Sequence, residues 1–210
     1  MLVVNFKAYS QASGEDASRI ARQCRKAGEE TGEKVIVAPQ HLDVLRIDNT
    51  EVFGQHLDPV KQGSQTGHTT AEALKDAGCS GTLLNHSEMR IKPEKIEKAV
   101  TRASETGLKT IVCAQTPEEC GELSGYEPDY IAYEPPELIG GDTSVSEAKP
   151  ELIEKAVEES EVPVLTGAGI KTKEDVEKAV ELGCEGVLVA SGVVKSDNPR
   201  KAAVDLCEGL

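Results

Sequence analysis

Short runs of valine, isoleucine and leucine recur along the chain near residues 2–6, 34–38, 51–55, 81–84, 108–113, 129–133, 162–166 and 186–190. They are continuous rather than alternating, which is the pattern of parallel strands covered on both faces. Between them lie polar stretches with helical spacing of their apolar positions, over 15–31, 70–77, 93–106, 146–160, 172–182 and 199–207. Start and stop signals frame several of these. Pro93 and Pro199 fall in first turns, Thr172 is placed to cap Glu174 and Asp175, and Gly32, Gly78, Gly107 and Gly183 follow helix ends. Strand and helix therefore alternate about eight times, an α/β pattern open to a doubly wound sheet or a closed barrel. Eight units favour closure. The segments 41–47 and 116–125 hold the weakest helical signals, so this barrel is expected to be trimmed below the roughly 250 residues typical of such folds.

No linker, low-complexity tract or charge block divides the chain, and its 210 residues are expected to form one domain, 1–210. Charged residues make up 29% and the mean hydropathy is −0.35, so no stretch approaches the roughly 18 apolar residues of a membrane span. The chain enters its first apolar run at Leu2 with no basic segment or signal-type stretch ahead of it, and a cytoplasmic address is expected. Six cysteines are scattered without a C-x-x-C pair, which reads as reduced, buried thiols rather than a disulfide framework or zinc cluster. A net charge of −14 argues against nucleic acid and anionic membranes as partners. It suits either a saline cytoplasm, where self-repulsion is screened, or ordinary acidic solubility. An anionic substrate would need a locally positive pocket in such a chain.

Chemistry-bearing side chains fall at the ends of the apolar runs, and in a parallel barrel those ends converge on one mouth. Asn5-Phe6-Lys7 closes the first run, where a lysine offers a fixed cation for a phosphate or a developing oxyanion; a solvated surface lysine is the plainer reading. His86 follows Thr82-Leu83-Leu84 and is placed to donate a hydrogen bond to a substrate oxygen, or else to sit as a satisfied core histidine. Glu134 follows Tyr130-Ile131-Ala132-Tyr133, where burial would raise its pKa toward base chemistry. The stretch from Pro135-Pro136 to Gly140-Gly141 is either a lid or an ordinary loop. Gly167-Ala168-Gly169 and Ala190-Ser191-Gly192 follow the last two runs, and their small side chains let backbone N–H groups approach an anion. His41, His56 and His68 lack such a setting, make no metal spacing and are assigned structural or surface roles.

Taken in order, Asn5-Phe6-Lys7, Gly81 through Glu88, Tyr133-Glu134-Pro135-Pro136-Glu137-Leu138-Ile139-Gly140, Gly167-Ala168-Gly169 and Ala190-Ser191-Gly192 closely resemble the triosephosphate isomerase family, particularly its short archaeal form, from end to end. The resemblance implies a single (β/α)8 TIM barrel with some shortened helices. It implies interconversion of dihydroxyacetone phosphate and D-glyceraldehyde 3-phosphate through an enediolate, with no metal and no organic cofactor. Lys7 would be the electrostatic residue, His86 the neutral electrophile and Glu134 the base, a division of labour that is the family's known arrangement. Asn5 and Glu88 would support Lys7 and His86, while Ile139, Gly140, Gly169, Ala190 and Ser191 would contact substrate or its phosphate. Thr66-Gly67 resembles a loop tip that reaches into a neighbouring subunit, which implies a homodimer or homotetramer. The chain departs from the family in its lid, where Asp142 adds a negative charge, and after Cys113, where Ala114-Gln115 replaces the usual glycine and glutamate. Another phosphate-binding barrel enzyme would share the late loops without needing His86 and Glu134 together. A non-catalytic phosphometabolite-binding barrel would need none of Lys7, His86 and Glu134.

Overall fold

Each apolar run is a strand whose alternate side chains point to opposite faces, so a sheet with both faces dry must be covered twice. The computed structural model, which describes residues 1–136 and 149–210, resolves this by closing the sheet on itself. Strands β1 (Leu2–Asn5), β2 (Val35–Ala38), β3 (Glu51–Gly54), β4 (Gly81–Leu84), β5 (Lys109–Ala114), β6 (Tyr130–Tyr133), β7 (Val164–Thr166) and β8 (Gly186–Val189) form one closed parallel barrel in sequence order. The seam pairs β8 back onto β1, with Leu2 opposite Val187 and Val4 opposite Val189. The barrel expected from alternation is thus present, and each strand lies within about two residues of its apolar run.

The two faces make two cores. Val3, Ile36, Phe53, Leu83, Ile111, Ala132, Leu165 and Leu188, with Ala38 and Cys113, form a separate cluster that fills the barrel. Their sequence neighbours Leu2, Val4, Val37, Leu84, Val112, Ile131 and Val187 pack outward against helix residues such as Ile20, Ala99, Val100, Ile153 and Val176.

That outer layer is α1 (Glu15–Thr31), α2 (Ala71–Asp76), α3 (Pro93–Glu105), α4 (Pro117–Ser124), α5 (Pro150–Glu159), α6 (Lys173–Glu181), α7 (Ser191–Val194) and α8 (Pro199–Cys207). The caps do what the sequence signals suggest. Thr172 and Asp175 form a reciprocal capping box on α6, and Gly32 ends α1 in the left-handed region with φ +81. The layer is thin on one side. Between β2 and β3 there is only a 3-10 turn, His41–Arg46, and α2 has six residues.

The 116–125 segment, expected to be short or non-helical, forms the eight-residue α4, because Thr116 accepts a hydrogen bond from the Glu119 N–H and Pro117 occupies the first turn. Burial of Cys120 and Leu123 and an ion pair from Lys155 on α5 to Glu118 hold it. The short α7 and a 3-10 turn at Ser10–Ala12 carried no distinguishable periodicity, being too brief to show one. The segment 137–148, which includes Ile139, Gly140 and Asp142, lies outside the described residues.

At the floor of the barrel the large Phe53 ring is admitted only because β4 begins with glycine. A Cβ on Gly81 would stand 2.5 Å from Phe53 Cζ and 2.6 Å from the Lys109 carbonyl oxygen. Gly81→Ala is therefore expected to cost about 1–3 kcal/mol as an overpacking change. Chemical denaturation measures it, and Phe53→Leu in the same chain should recover part of the loss if the ring is the obstacle.

Candidate active site

The mouth is assembled from residues just past the strand ends, and the backbone there is unusual. Three of the non-glycine residues with positive φ sit at it: Lys7 (φ +47) beyond β1, Asn85 (φ +60) beyond β4 and Ala168 (φ +69) beyond β7. Such conformations are costly for residues with a Cβ and persist only where the surroundings enforce them. At β4 the enforcement is visible. The buried Asn85 amide donates to the Cys113 carbonyl at 2.9 Å and its Oδ1 accepts from the Ile91 N–H at 3.1 Å, which fixes the turn that presents His86.

His86 and Glu134 meet, as the strand ends predict. Both are buried, at 7% and 6% exposure, and His86 Nε2 lies 3.6 Å from Glu134 Oε2. The Glu88 backbone N–H donates to His86 Nδ1 at 3.2 Å. An Nδ1 used as acceptor places the proton of the neutral ring on Nε2, the nitrogen facing the cavity. Lys7 Nζ reaches Glu88 Oε1 at 2.8 Å, so one carboxylate and its own backbone serve both Lys7 and His86. Asn5 accepts from the Lys7 N–H at 2.9 Å. Asn5, Lys7, His86, Glu134, Gly169, Ala190 and Ser191 line one cavity, together with Tyr9, Ile170, Lys171, Val189 and Gly192.

Burial pushes the Glu134 carboxyl above its ordinary value, opposed by His86, by the Lys7 cation and by a hydrogen bond from the Cys113 thiol. Its Oε2 has no hydrogen-bond partner among the described residues. A carboxylate held dry beside a histidine and a lysine, with one oxygen unpartnered among the described residues, is suited to acid/base chemistry. Its placement also depends on what is missing behind it. A Cβ on Gly167 would stand 2.6 Å from Glu134 Oε1 and 2.8 Å from the Leu188 carbonyl oxygen, so the carboxylate rests on bare backbone.

Other predicted residues fall elsewhere. Thr66 is exposed and not in this cavity; its neighbours Gly67 and Thr69 line an adjoining cavity of about 430 Å³ that shares Asn5, Lys7 and His86 with the first and adds Glu88. His41 and His56 line that second cavity too, and His56 and His68 both face Asp58 Oδ1, at 3.5 and 3.2 Å. Among the described residues no three His, Cys, Asp or Glu side chains are placed to hold a metal ion. The cysteines are free and buried, and burial pushes the thiols of Cys24, Cys120 and Cys184 up to about 12, which keeps them unreactive near neutrality. Sequence reasoning missed Tyr9, Lys171 and Gln55. Tyr9 and Lys171 lie within two residues of the motifs singled out above, whereas Gln55 is the polar residue that ends the apolar run at 51–55, and that position was its one available signal.

A closed barrel with its acid/base pair, its cation and its small-residue loops at one mouth defines a (β/α)8-barrel enzyme. The family model for triosephosphate isomerase matches residues 1–209. Triosephosphate isomerases of Methanothermus fervidus and Methanocaldococcus jannaschii are each 45% identical over 183 residues, covering 83% of this chain and 82% and 84% of theirs. That of Methanococcoides burtonii is 46% identical over 183 residues, covering 83% of each chain. The chain belongs to the triosephosphate isomerase family.

Gly167→Ala tests the seat of the carboxylate. The new methyl must displace Glu134, and a misplacement near 1 Å is expected to lower turnover by about 10²-fold, read in steady-state kinetics with the fold checked by circular dichroism.

Proposed function

We propose that this chain interconverts dihydroxyacetone phosphate and D-glyceraldehyde 3-phosphate, with Glu134 moving a proton between C1 and C2. The observation that carries this reading is the buried, unsatisfied Glu134 Oε2 facing His86 Nε2 beside Lys7. The Glu134 carboxylate takes a proton from the carbon next to the carbonyl, and His86 Nε2–H donates to the carbonyl oxygen as it gains negative charge. The enediolate that results sits next to the Lys7 cation in a water-poor site, where such stabilisation is strongest. Return of the proton from Glu134 to the neighbouring carbon, with the hydroxyl proton passing from one oxygen to the other by way of His86 Nε2, completes the isomerisation, with no net redox change and no cofactor required. Asn5 and Glu88 support Lys7 and His86, and Gly169, Ala190 and Ser191, with Ile139 and Gly140, take the phosphate. The reaction serves a sugar pathway in either direction, glycolytic or gluconeogenic.

The whole chain, 1–210, acts as one barrel domain in this reading. Free, buried thiols suit a reducing cytoplasm, and no helix among the described residues is long and apolar enough to cross a membrane. We further infer a homo-oligomer, dimer or tetramer. The second cavity beside Lys7 and His86 is rimmed by Leu42 and Met89, which are 90% and 54% exposed, and the Thr66-Gly67 tip of another copy would cover it.

Glu134→Gln and His86→Gln are each expected to lower kcat by about 10² to 10⁴ with the fold intact, and near-normal turnover in either refutes the roles. Absence of turnover in the unaltered protein would favour a non-catalytic binding barrel. The acid limb of kcat/KM should fall at a pH above the ordinary glutamate range, because the carboxylate must be ionised to act and burial raises its pKa; removing the opposing cation in Lys7→Met should move the limb higher still. Light scattering with activity across a salt series should give the mass of a dimer or tetramer in the active range. A monomer at all working concentrations contradicts the assembly.

A further inference from the structure

Gln55 is the first residue beyond β3, half-buried in the wall of the second cavity and outside the acid/base machinery described above. Its Nε2 donates to the Lys7 carbonyl at 3.0 Å and to the Ala38 carbonyl at 3.0 Å, and lies 3.4 Å from Asn5 Oδ1. An amide nitrogen has two hydrogens, and the two carbonyls occupy them. Asn5 Oδ1 is left to accept from the Lys7 N–H at 2.9 Å. Both backbone polar groups of Lys7 are therefore held by side chains, one from β1 and one from just beyond β3, while the Ala38 carbonyl, which also accepts from the Phe6 N–H at 2.9 Å, anchors the clamp to β2.

The clamp has something to restrain. Lys7 stands at φ +47, a region a lysine leaves readily when nothing holds it there, and rotation of that peptide would redirect the whole side chain. The ion pair to Glu88 also restrains the lysine tip, but that carboxylate is 57% exposed, and a pair with one exposed partner is partly screened. The direction of the lysine is thus set at its backbone more than at its tip. Its donor must come from an amide of this length, since Gln55 spans from β3 across the β2 end to the residue beyond β1.

We propose that Gln55 is a positioning residue, which acts through Lys7 by locking its left-handed backbone and so aiming Nζ at the anionic substrate. This rests on the reading of Lys7 as the substrate's cation, and the two are separable by experiment. Steady-state kinetics would be measured for the unaltered chain, Gln55→Met, Gln55→Glu and Lys7→Met, together with calorimetric binding of glycerol 3-phosphate, which carries the phosphate but no isomerisable carbonyl. Gln55→Met keeps the length and removes the donor; KM and the glycerol 3-phosphate Kd are expected to rise by about tenfold or more, with a smaller change in kcat. A packing role alone would lower the melting temperature and the active fraction while leaving KM and Kd where they were. In Gln55→Glu the donor exists only in the protonated acid, so KM should climb as pH rises through that group's ionisation, on top of the unaltered chain's own profile. KM and Kd within about twofold of the unaltered chain in Gln55→Met, or a Gln55→Glu profile parallel to it, overturn the proposal and leave Lys7 untouched. A Lys7→Met chain that binds and turns over normally removes the Lys7 reading instead, and Gln55 with it.

Discussion

Closure of the sheet between β8 and β1 is the constraint from which the rest of the structure follows. The Val187 N–H donates to the Met1 carbonyl at 3.0 Å, and pairing continues through Val3 with Leu188 and Val4 with Val189. An open sheet would leave two unpaired edges and would set Asn5 and Ala190 at opposite ends of a twisted ribbon. Closed, the same strands bring the ends of β1, β4, β6, β7 and β8 around one cavity, and residues remote in sequence become neighbours. The ten side chains packed inside the barrel oppose its collapse or shear, which is why a group such as Glu134 can be held in place by the absence of a methyl on Gly167.

Electrostatics at the mouth run against the charge of the chain as a whole. With a net charge of −14, the long-range field repels a phosphate ester, so attraction has to be local. In the proposed reading Lys7 supplies it, from a side chain only 12% exposed, where a charge interacts more strongly than at the surface. Glu88 tempers that cation, yet its backbone N–H also directs the proton of His86 toward the cavity, so one residue sets the state of two others. Glu134 completes the balance, since burial disfavours its charge and the two basic neighbours restore part of it.

The barrel was legible because each strand is apolar on both faces, and because caps such as Thr172 with Asp175 and stops such as Gly32 mark helix ends without help from tertiary contacts. Lys7, His86 and Glu134 were legible for a related reason: a polar residue directly after a buried strand in a closed parallel barrel has one rim to occupy. What escaped is what depends on hydrogen-bond geometry alone. Gln55 had the same position directly after a strand as Glu134 has, but a glutamine suggests no chemistry, and its worth lies in the two carbonyls it reaches. The helicity of α4 was obscured by its length, since eight residues give barely two turns of periodicity and its stability comes from packing on α5.

Ala168 has a consequence of a different kind. It stands at φ +69 immediately before Gly169 at φ +78, so the loop beyond β7 makes two successive left-handed residues, of which only the second is glycine. Glycine in both places would relieve about 1 kcal/mol of strain, and would also give the unfolded and the breathing loop far more shapes to visit. Retaining the alanine trades equilibrium stability for stiffness at this wall of the cavity. A wall that does not yield keeps Gly169 and Ile170 in place at the cavity, so the entropy of ordering this loop is settled during folding rather than at each binding event.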